Sequence, residues 1–266
     1  MLRYFLLLAI LSNFAFSDEL TVAVASNFVK PMRDLSNIYQ VSTNQSITIV
    51  SGSSAKLMAQ IKQGAPYDLF FSADQEKVSK LIEYGLADTA SRQQYAKGRL
   101  VLWSAQCMSQ SKATAEPSSY RRLVNNDFNH LAIANPILAP YGRASVESLK
   151  SLTLYSNLKS KLVYGENIAQ TYQFVYSANS DLGLVALSQV IEYLSPSTSS
   201  STLTEKNDSQ KTQQCGWLVP EHLHSPIIQE VVVVKGKNEN AAQKFLDFMV
   251  SDKIQQRLLQ YGYESF

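Results

Sequence analysis

The chain has 266 residues, with 24 Lys and Arg against 22 Asp and Glu, for a formal net charge of +2. The cations are dispersed rather than clustered, which excludes the basic surface that nucleic acid or an acidic membrane face demands. Two cysteines limit the chain to a single disulfide, and three histidines with no CxxC, HExxH or His/Cys cluster offer no site for a directly held metal.

The first segment, Met1–Ser17, carries Arg3, the apolar run Tyr4–Leu11 and small residues at Ala15 and Ser17. This is the pattern of a cleaved secretory signal, with a mature chain starting at Asp18. The apolar run is too short for a permanent membrane helix, and no cysteine near the cleavage point serves a lipid anchor. The mature chain is long enough for two α/β lobes of roughly 100–150 residues each. In an exported protein Cys107 and Cys215 either form one disulfide or remain two buried thiols, and the residues leave both open.

Leu20–Ala25 (LTVAVA) is β-branched and apolar, a buried strand. Phe28, Met32, Leu35 and Tyr39 recur at helical spacing over Phe28–Gln40, with Pro31 in the first turn, where proline is tolerated. Ser46–Val50 is a second strand, followed by a helix over Ser54–Gln63 that Gly64 ends. Asp68–Phe71 is a third strand, and Asp74 starts a helix over Gln75–Tyr84. This alternation predicts right-handed crossovers and a mostly parallel sheet.

A polar segment precedes the strand Arg99–Ser104. Next come a short helix near Ser119–Asn125, a strand at His130–Ala134, a two-proline loop over Asn135–Gly142 and a helix over Arg143–Ser151. Leu162–Tyr164 is a brief strand, Ile168–Ser177 a helix and Leu182–Leu187 a strand. Ser195–Gln214 is rich in Ser, Thr and Gln and predicts a flexible surface loop. Gln229–Val234 is a strand, and an amphipathic helix over Ala241–Val250 with a shorter helical piece closes the chain.

Two stretches carry the chemistry. Ala23–Asn27 (AVASN) and Ser51–Lys56 (SGSSAK) each turn a strand straight into a helix through small polar residues. Such a turn leaves free backbone N–H groups at the helix start, where the helix dipole and nearby hydroxyls favour an anion. Ser26, Asn27 and Ser54 are the candidates, with plain N-capping as their alternative use. The element order implies two lobes with the chain passing between them twice, an arrangement that permits hinge closure. Lobe 1 takes residues 18–101 and 229–266, and lobe 2 takes 102–228.

The run TVAVASNF, then SGSSAKLMAQIKQGAPYDLFFSAD, RLVLWS, LAIANPILAPYGRAS and finally RLLQYGY resembles the periplasmic molybdate-binding proteins of ABC transporters, most specifically over Gly64–Asp74. The resemblance implies a type II periplasmic binding protein fold: two α/β lobes, mixed sheets flanked by helices, and a double-crossover hinge. It implies a periplasmic, non-catalytic monomer without a cofactor that captures molybdate or tungstate and delivers it to an inner-membrane ABC permease. It places ligand contacts on Ser26, Asn27 and Ser54, and in lobe 2 on Tyr141 and Ile168 through backbone N–H. It also marks a departure. Many members carry a tyrosine after the LGLV strand, where this chain has Ala186, and Tyr141 is the tyrosine able to compensate.

Two other readings have residues behind them. A type II binding protein for sulfate, phosphate or another anion would keep the fold. Ser53-Ser54-Ala55-Lys56 also matches S-x-x-K, the serine–lysine pair of penicillin-interacting enzymes, but the K-T-G motif is absent.

Overall fold

A computed structural model describes residues 19–105, 118–194 and 216–264. The signal segment Met1–Ser17, the Cys107–Cys215 pairing and the loop over 195–214 all lie outside the described residues. The described strands form two five-stranded mixed sheets, each flanked by helices.

Lobe 1 is built on β1 (Leu20–Ala25), β2 (Ile47–Gly52), β3 (Leu69–Ser72), β4 (Gln93–Gly98) and β10 (Ile227–Val233), in the order β2-β1-β3-β10-β4. β1 pairs parallel with β2 and β3, and β10 runs antiparallel between β3 and β4. The period-2 alternation of β1 sorts its side chains to two cores. Val22 and Val24 pack with α1 (Val29–Thr43) and α9 (Glu239–Met249), and Ala23 packs with α2 (Ser54–Lys62) and α3 (Gln75–Glu83). A short 3₁₀ turn, Ser26–Phe28, precedes α1, and α10 (Asp252–Leu258) ends the lobe.

Lobe 2 holds β5 (Leu100–Trp103), β6 (Leu131–Ala134), β7 (Leu162–Gly165), β8 (Leu182–Ala186) and β9 (Gly216–Leu218), in the order β7-β6-β8-β5-β9. Its helices are α4 (Ser118–Val124), α5 (Pro140–Ser151), α6 (Tyr155–Leu158), α7 (Ile168–Tyr176) and α8 (Leu187–Leu194). Leu100, Leu102, Leu182 and Leu184 face the core that includes Leu149 of α5, while Val101, Trp103 and Val185 face the core that includes Val175 of α7 and Val190 of α8.

Four sequence expectations shift. The polar segment before Arg99 contains β4, with Gln93 and Gln94 exposed and Tyr95 and Ala96 buried. Among the described strands it pairs with β10 alone, with one further bridge from Lys97 to Glu264, and an edge strand can stay polar. Next, the chain changes sheet at Arg99, so Leu100 and Val101 pair in lobe 2, two residues ahead of the expected boundary. The return comes earlier as well, with Ile227 and Ile228 already paired in lobe 1. Lastly, the two-proline loop stops short, because α5 begins at Pro140, where a missing N–H costs a helix nothing. Tyr141 is therefore a first-turn residue of a helix and not a loop residue.

Candidate functional site

The floor between the lobes contains a small cavity lined by Ser26, Asn27, Ser54, Tyr141 and Ile168, with Ala25, Gly52, Ser53, Ala73, Ala139 and Pro140 completing its wall. All five residues singled out in the sequence therefore border one space. Its free volume is about 10 Å³. That is far below the roughly 300–1,000 Å³ of an organic-ligand pocket and suits only a small, compact guest. The lobes touch directly beside it, where Ala55 N donates to Leu138 O at 3.2 Å.

The local sequence explains why donors collect here. Four helical starts reach the cavity: the Ser26 turn and α2 from lobe 1, α5 and α7 from lobe 2. The first turns of helices carry N–H groups with no intrahelical acceptor. Capping satisfies some and spares others. Asn167 Oδ1 accepts from Ala169 N at 3.0 Å and Gln170 N at 3.1 Å, which leaves the Ile168 N–H without an acceptor among the described residues. No side chain caps α5, and the Tyr141 N–H is likewise left without one. Ser53, rather than Ser54, caps α2, accepting from Lys56 N at 3.4 Å. Ser54 Oγ instead accepts from Ala73 N at 3.0 Å, so its own proton is free to donate. Ser26 Oγ has no partner among the described residues and does not act as a cap.

No charged side chain lines the cavity. Asp74 and Glu230 are the buried carboxylates among the described residues. Asp74 caps α3 and pairs with Lys77 at 3.3 Å and Arg143 at 3.5 Å, and Glu230 pairs with Arg92 at 2.7 Å. Both are neutralised away from the cavity. The potential inside is set by helix starts and hydroxyls, which favour an anion.

Two side chains do something the sequence did not reveal. The Asn27 amide faces the hinge: Nδ2 donates to Gln229 Oε1 and to Tyr263 Oη, both at 2.9 Å, while Oδ1 is buried without a donor. The Tyr141 hydroxyl also leaves the cavity, accepting from Gln229 Nε2 at 3.5 Å. Burial, helped by nearby Tyr263, pushes its phenol well above the ordinary tyrosine range, so it stays protonated. The expectation that this hydroxyl replaces the tyrosine absent at Ala186 is therefore corrected. It is engaged in the hinge, and Ala186 itself sits in β8 outside the cavity wall, donating to Gln189 Oε1 at 3.1 Å.

These polar groups join a buried network that crosses the lobes. Tyr95 Oη donates to Gln229 Oε1 at 2.8 Å, and Ser188 Oγ of α8 donates to Asn27 O at 2.9 Å. Sequence reading missed Tyr95, Ser188, Gln229 and Tyr263, because the partners that join them to this network lie 75 to 236 residues away and no local pattern marks them.

The serine–lysine pair is not assembled. Ser53 Oγ serves the backbone, and Lys56 Nζ reaches Glu166 of lobe 2 at 2.8 Å instead. That leaves the serine without a base.

Residues 20–264 match the model of a family described as bacterial extracellular solute-binding protein. The chain is 39% identical over 246 residues to the molybdate-binding protein ModA of Azotobacter vinelandii, spanning 92% of this chain and 89% of that one. It is 35% identical over 250 residues to ModA of Rhodobacter capsulatus, spanning 94% and 89%. The solved periplasmic molybdate-binding protein of Azotobacter vinelandii superposes with a TM-score of 0.77 at 32% identity, covering 92% of this chain and 99% of that one. A fold of two mixed sheets, a cleft walled by helix starts and likeness along nearly the whole length lead to one conclusion: the chain belongs to the bacterial extracellular solute-binding proteins and is a relative of ModA.

Proposed function

We propose that this protein captures molybdate or tungstate between its lobes and hands it to an ABC permease, without catalysing a reaction. The observation that carries the reading is the meeting of four helix starts on one cavity with no charged side chain in its wall. Such a wall offers donors only from hydroxyls and amides, and each charge-assisted bond contributes about 1.5–3 kcal/mol. Ser26 and Ser54 donate through hydroxyls, Tyr141 and Ile168 through main-chain N–H, and Asn27 holds the wall in place. A fully ionised tetrahedral dianion suits this set, because every oxygen it presents is an acceptor. The names and structure of the relatives support the choice of anion. A periplasmic location after removal of Met1–Ser17, and action as a monomer, belong to the same reading.

The test is a thermal-shift panel with molybdate, tungstate, sulfate and phosphate, followed by calorimetry. Binding raises the melting point in proportion to the logarithm of anion concentration over Kd. Large shifts with molybdate and tungstate and small ones with sulfate and phosphate are expected. The reverse order would discard the reading.

A further inference from the structure

We propose that Gly98, which lines no part of the cavity, holds open the slot that seats Tyr141 and thereby sets how closely the two lobes meet around the anion. The inference rests on the anion-binding function proposed for the cleft.

Gly98 is the last residue of β4, one position before the chain crosses into lobe 2. Its φ is not in the left-handed region, so its backbone accepts alanine. The restriction is space. A Cβ at this position would overlap the Tyr141 Oη, stand 3.0 Å from Tyr141 Cζ and lie 2.8 Å from Gln229 Nε2. Tyr141 belongs to the opposite lobe. Its main chain stands at the cavity, and its ring reaches through the interface to the hinge, fully buried. One residue thus has a backbone donor at the guest and a hydroxyl against the crossover.

The slot is stiff. Gln229 Oε1 is held by Tyr95 Oη and by Asn27 Nδ2, so the amide at the slot's mouth moves away only by breaking buried bonds. A methyl group at 98 therefore has to displace Tyr141 itself. Because Tyr141 lies in the first turn of α5, its displacement moves the start of that helix off the cavity. Gly98 is a positioning residue: it acts on the anion only through Tyr141.

A double-mutant cycle on the full chain tests this, read by calorimetric titration with sodium molybdate and by melting temperature without it. Gly98→Ala is expected to weaken molybdate binding about 10- to 100-fold, the range that one extra methyl in a packed site produces. Placed on Tyr141→Phe, which removes Oη but keeps Cζ, the same change should cost less. On Tyr141→Leu, which withdraws both atoms, it should cost less than about 3-fold, close to the scatter of independent sites. The melting cycle should show the same graded relief, and a Gly98→Ala chain that folds only with Tyr141→Leu would be its strongest form. Equal losses on all three backgrounds would overturn the proposal, as would Gly98→Ala binding like the unmodified chain. If the unmodified chain takes up no molybdate, the proposed function fails on that result alone. The melting cycle then still decides the slot, relief supporting it and its absence ending it.

Discussion

The two walls of the cleft reach the same chemistry by different routes. On the proposed reading lobe 1 brings two helix starts and also side chains, the hydroxyls of Ser26 and Ser54, on turns after β1 and β2. On that reading lobe 2 brings main chain alone, the first-turn N–H groups of Tyr141 and Ile168. A hydroxyl can donate or accept and rotates to suit its guest. A helix-start N–H only donates, and its direction is fixed by the fold. On that reading lobe 1 is the more adaptable wall and lobe 2 the more rigid one.

The largest expected effect tests the adaptable wall. Ser26→Ala with Ser54→Ala removes both hydroxyl donors and should weaken molybdate binding by about 3 kcal/mol or more, at about 1.5–3 kcal/mol for each charge-assisted bond. Ser54→Ala alone should cost about 1–3 kcal/mol, because Ala73 N also loses its acceptor. Calorimetry that finds the double variant unchanged would leave lobe 1 as scaffolding only.

The next tests the rigid wall. Ile168→Pro deletes one N–H at the first helical position, where proline is tolerated. Asn167 already has the extended backbone (φ −146°, ψ 175°) that a residue before proline prefers. Affinity should fall by about 1.5–3 kcal/mol while the melting point of the anion-free protein falls only as far as lost packing of the Ile168 side chain requires. An equal effect from Ile168→Ala would show that the side chain matters and the N–H does not.

Asn167→Ala should have a smaller effect and of a different kind. It removes the cap that takes the Ala169 and Gln170 N–H groups and should cost about 1 kcal/mol of stability. Its effect on affinity should be the lesser one, since the Ile168 N–H remains in place. A larger loss of affinity than of stability would mean that the cap aims the donor.

The same contrast explains what could be read from the chain alone. Lobe 1's turns are legible because hydroxyl residues after a β-branched strand are a local signal, as in LTVAVASN. Most strands are legible from apolar runs. β4 is not, since QQYAKG is polar on the outside of an edge, and the change of sheet at Arg99 looks like the ordinary start of the apolar run Leu100–Trp103. Tyr141 and Ile168 enter only through family resemblance, because a main-chain donor gives its side chain no reason to be polar. The closing contacts are invisible for a geometric reason. Asn27, Tyr95, Gln229 and Tyr263 each look like ordinary residues of their elements until the fold brings them within hydrogen-bond reach.

The smallest expected effect lies at the rim, where the lobes meet through ion pairs and not through the guest. Glu76 of α3 accepts from Lys80 Nζ at 2.6 Å and Lys77 Nζ at 3.0 Å within lobe 1, and from Arg143 Nη1 at 3.3 Å across the cleft. The hydrogen bonds from Lys80 and then Lys77 hold its carboxyl at about 2, against an ordinary 4.5. A folded value below the unfolded one means stability that is present above about pH 4.5 and drains away as the pH falls toward 2. The side chain is 46% exposed, so water screens the pairs and the contribution stays below about 1 kcal/mol. Glu76→Gln should therefore lower the melting point slightly at pH 7, with the gap to the unmodified protein closing between pH 4.5 and 2. Of the three contacts of Glu76 named here, only that with Arg143 joins the walls, so molybdate affinity should change less than about twofold at low salt and not at all in 1 M salt, where the Debye length is about 3 Å. A gap that persisted unchanged to pH 2 would show that the carboxylate's charge plays no part. An affinity loss comparable with that of Ser54→Ala would place the grip on the guest at the rim and undo the division between an adaptable and a rigid wall.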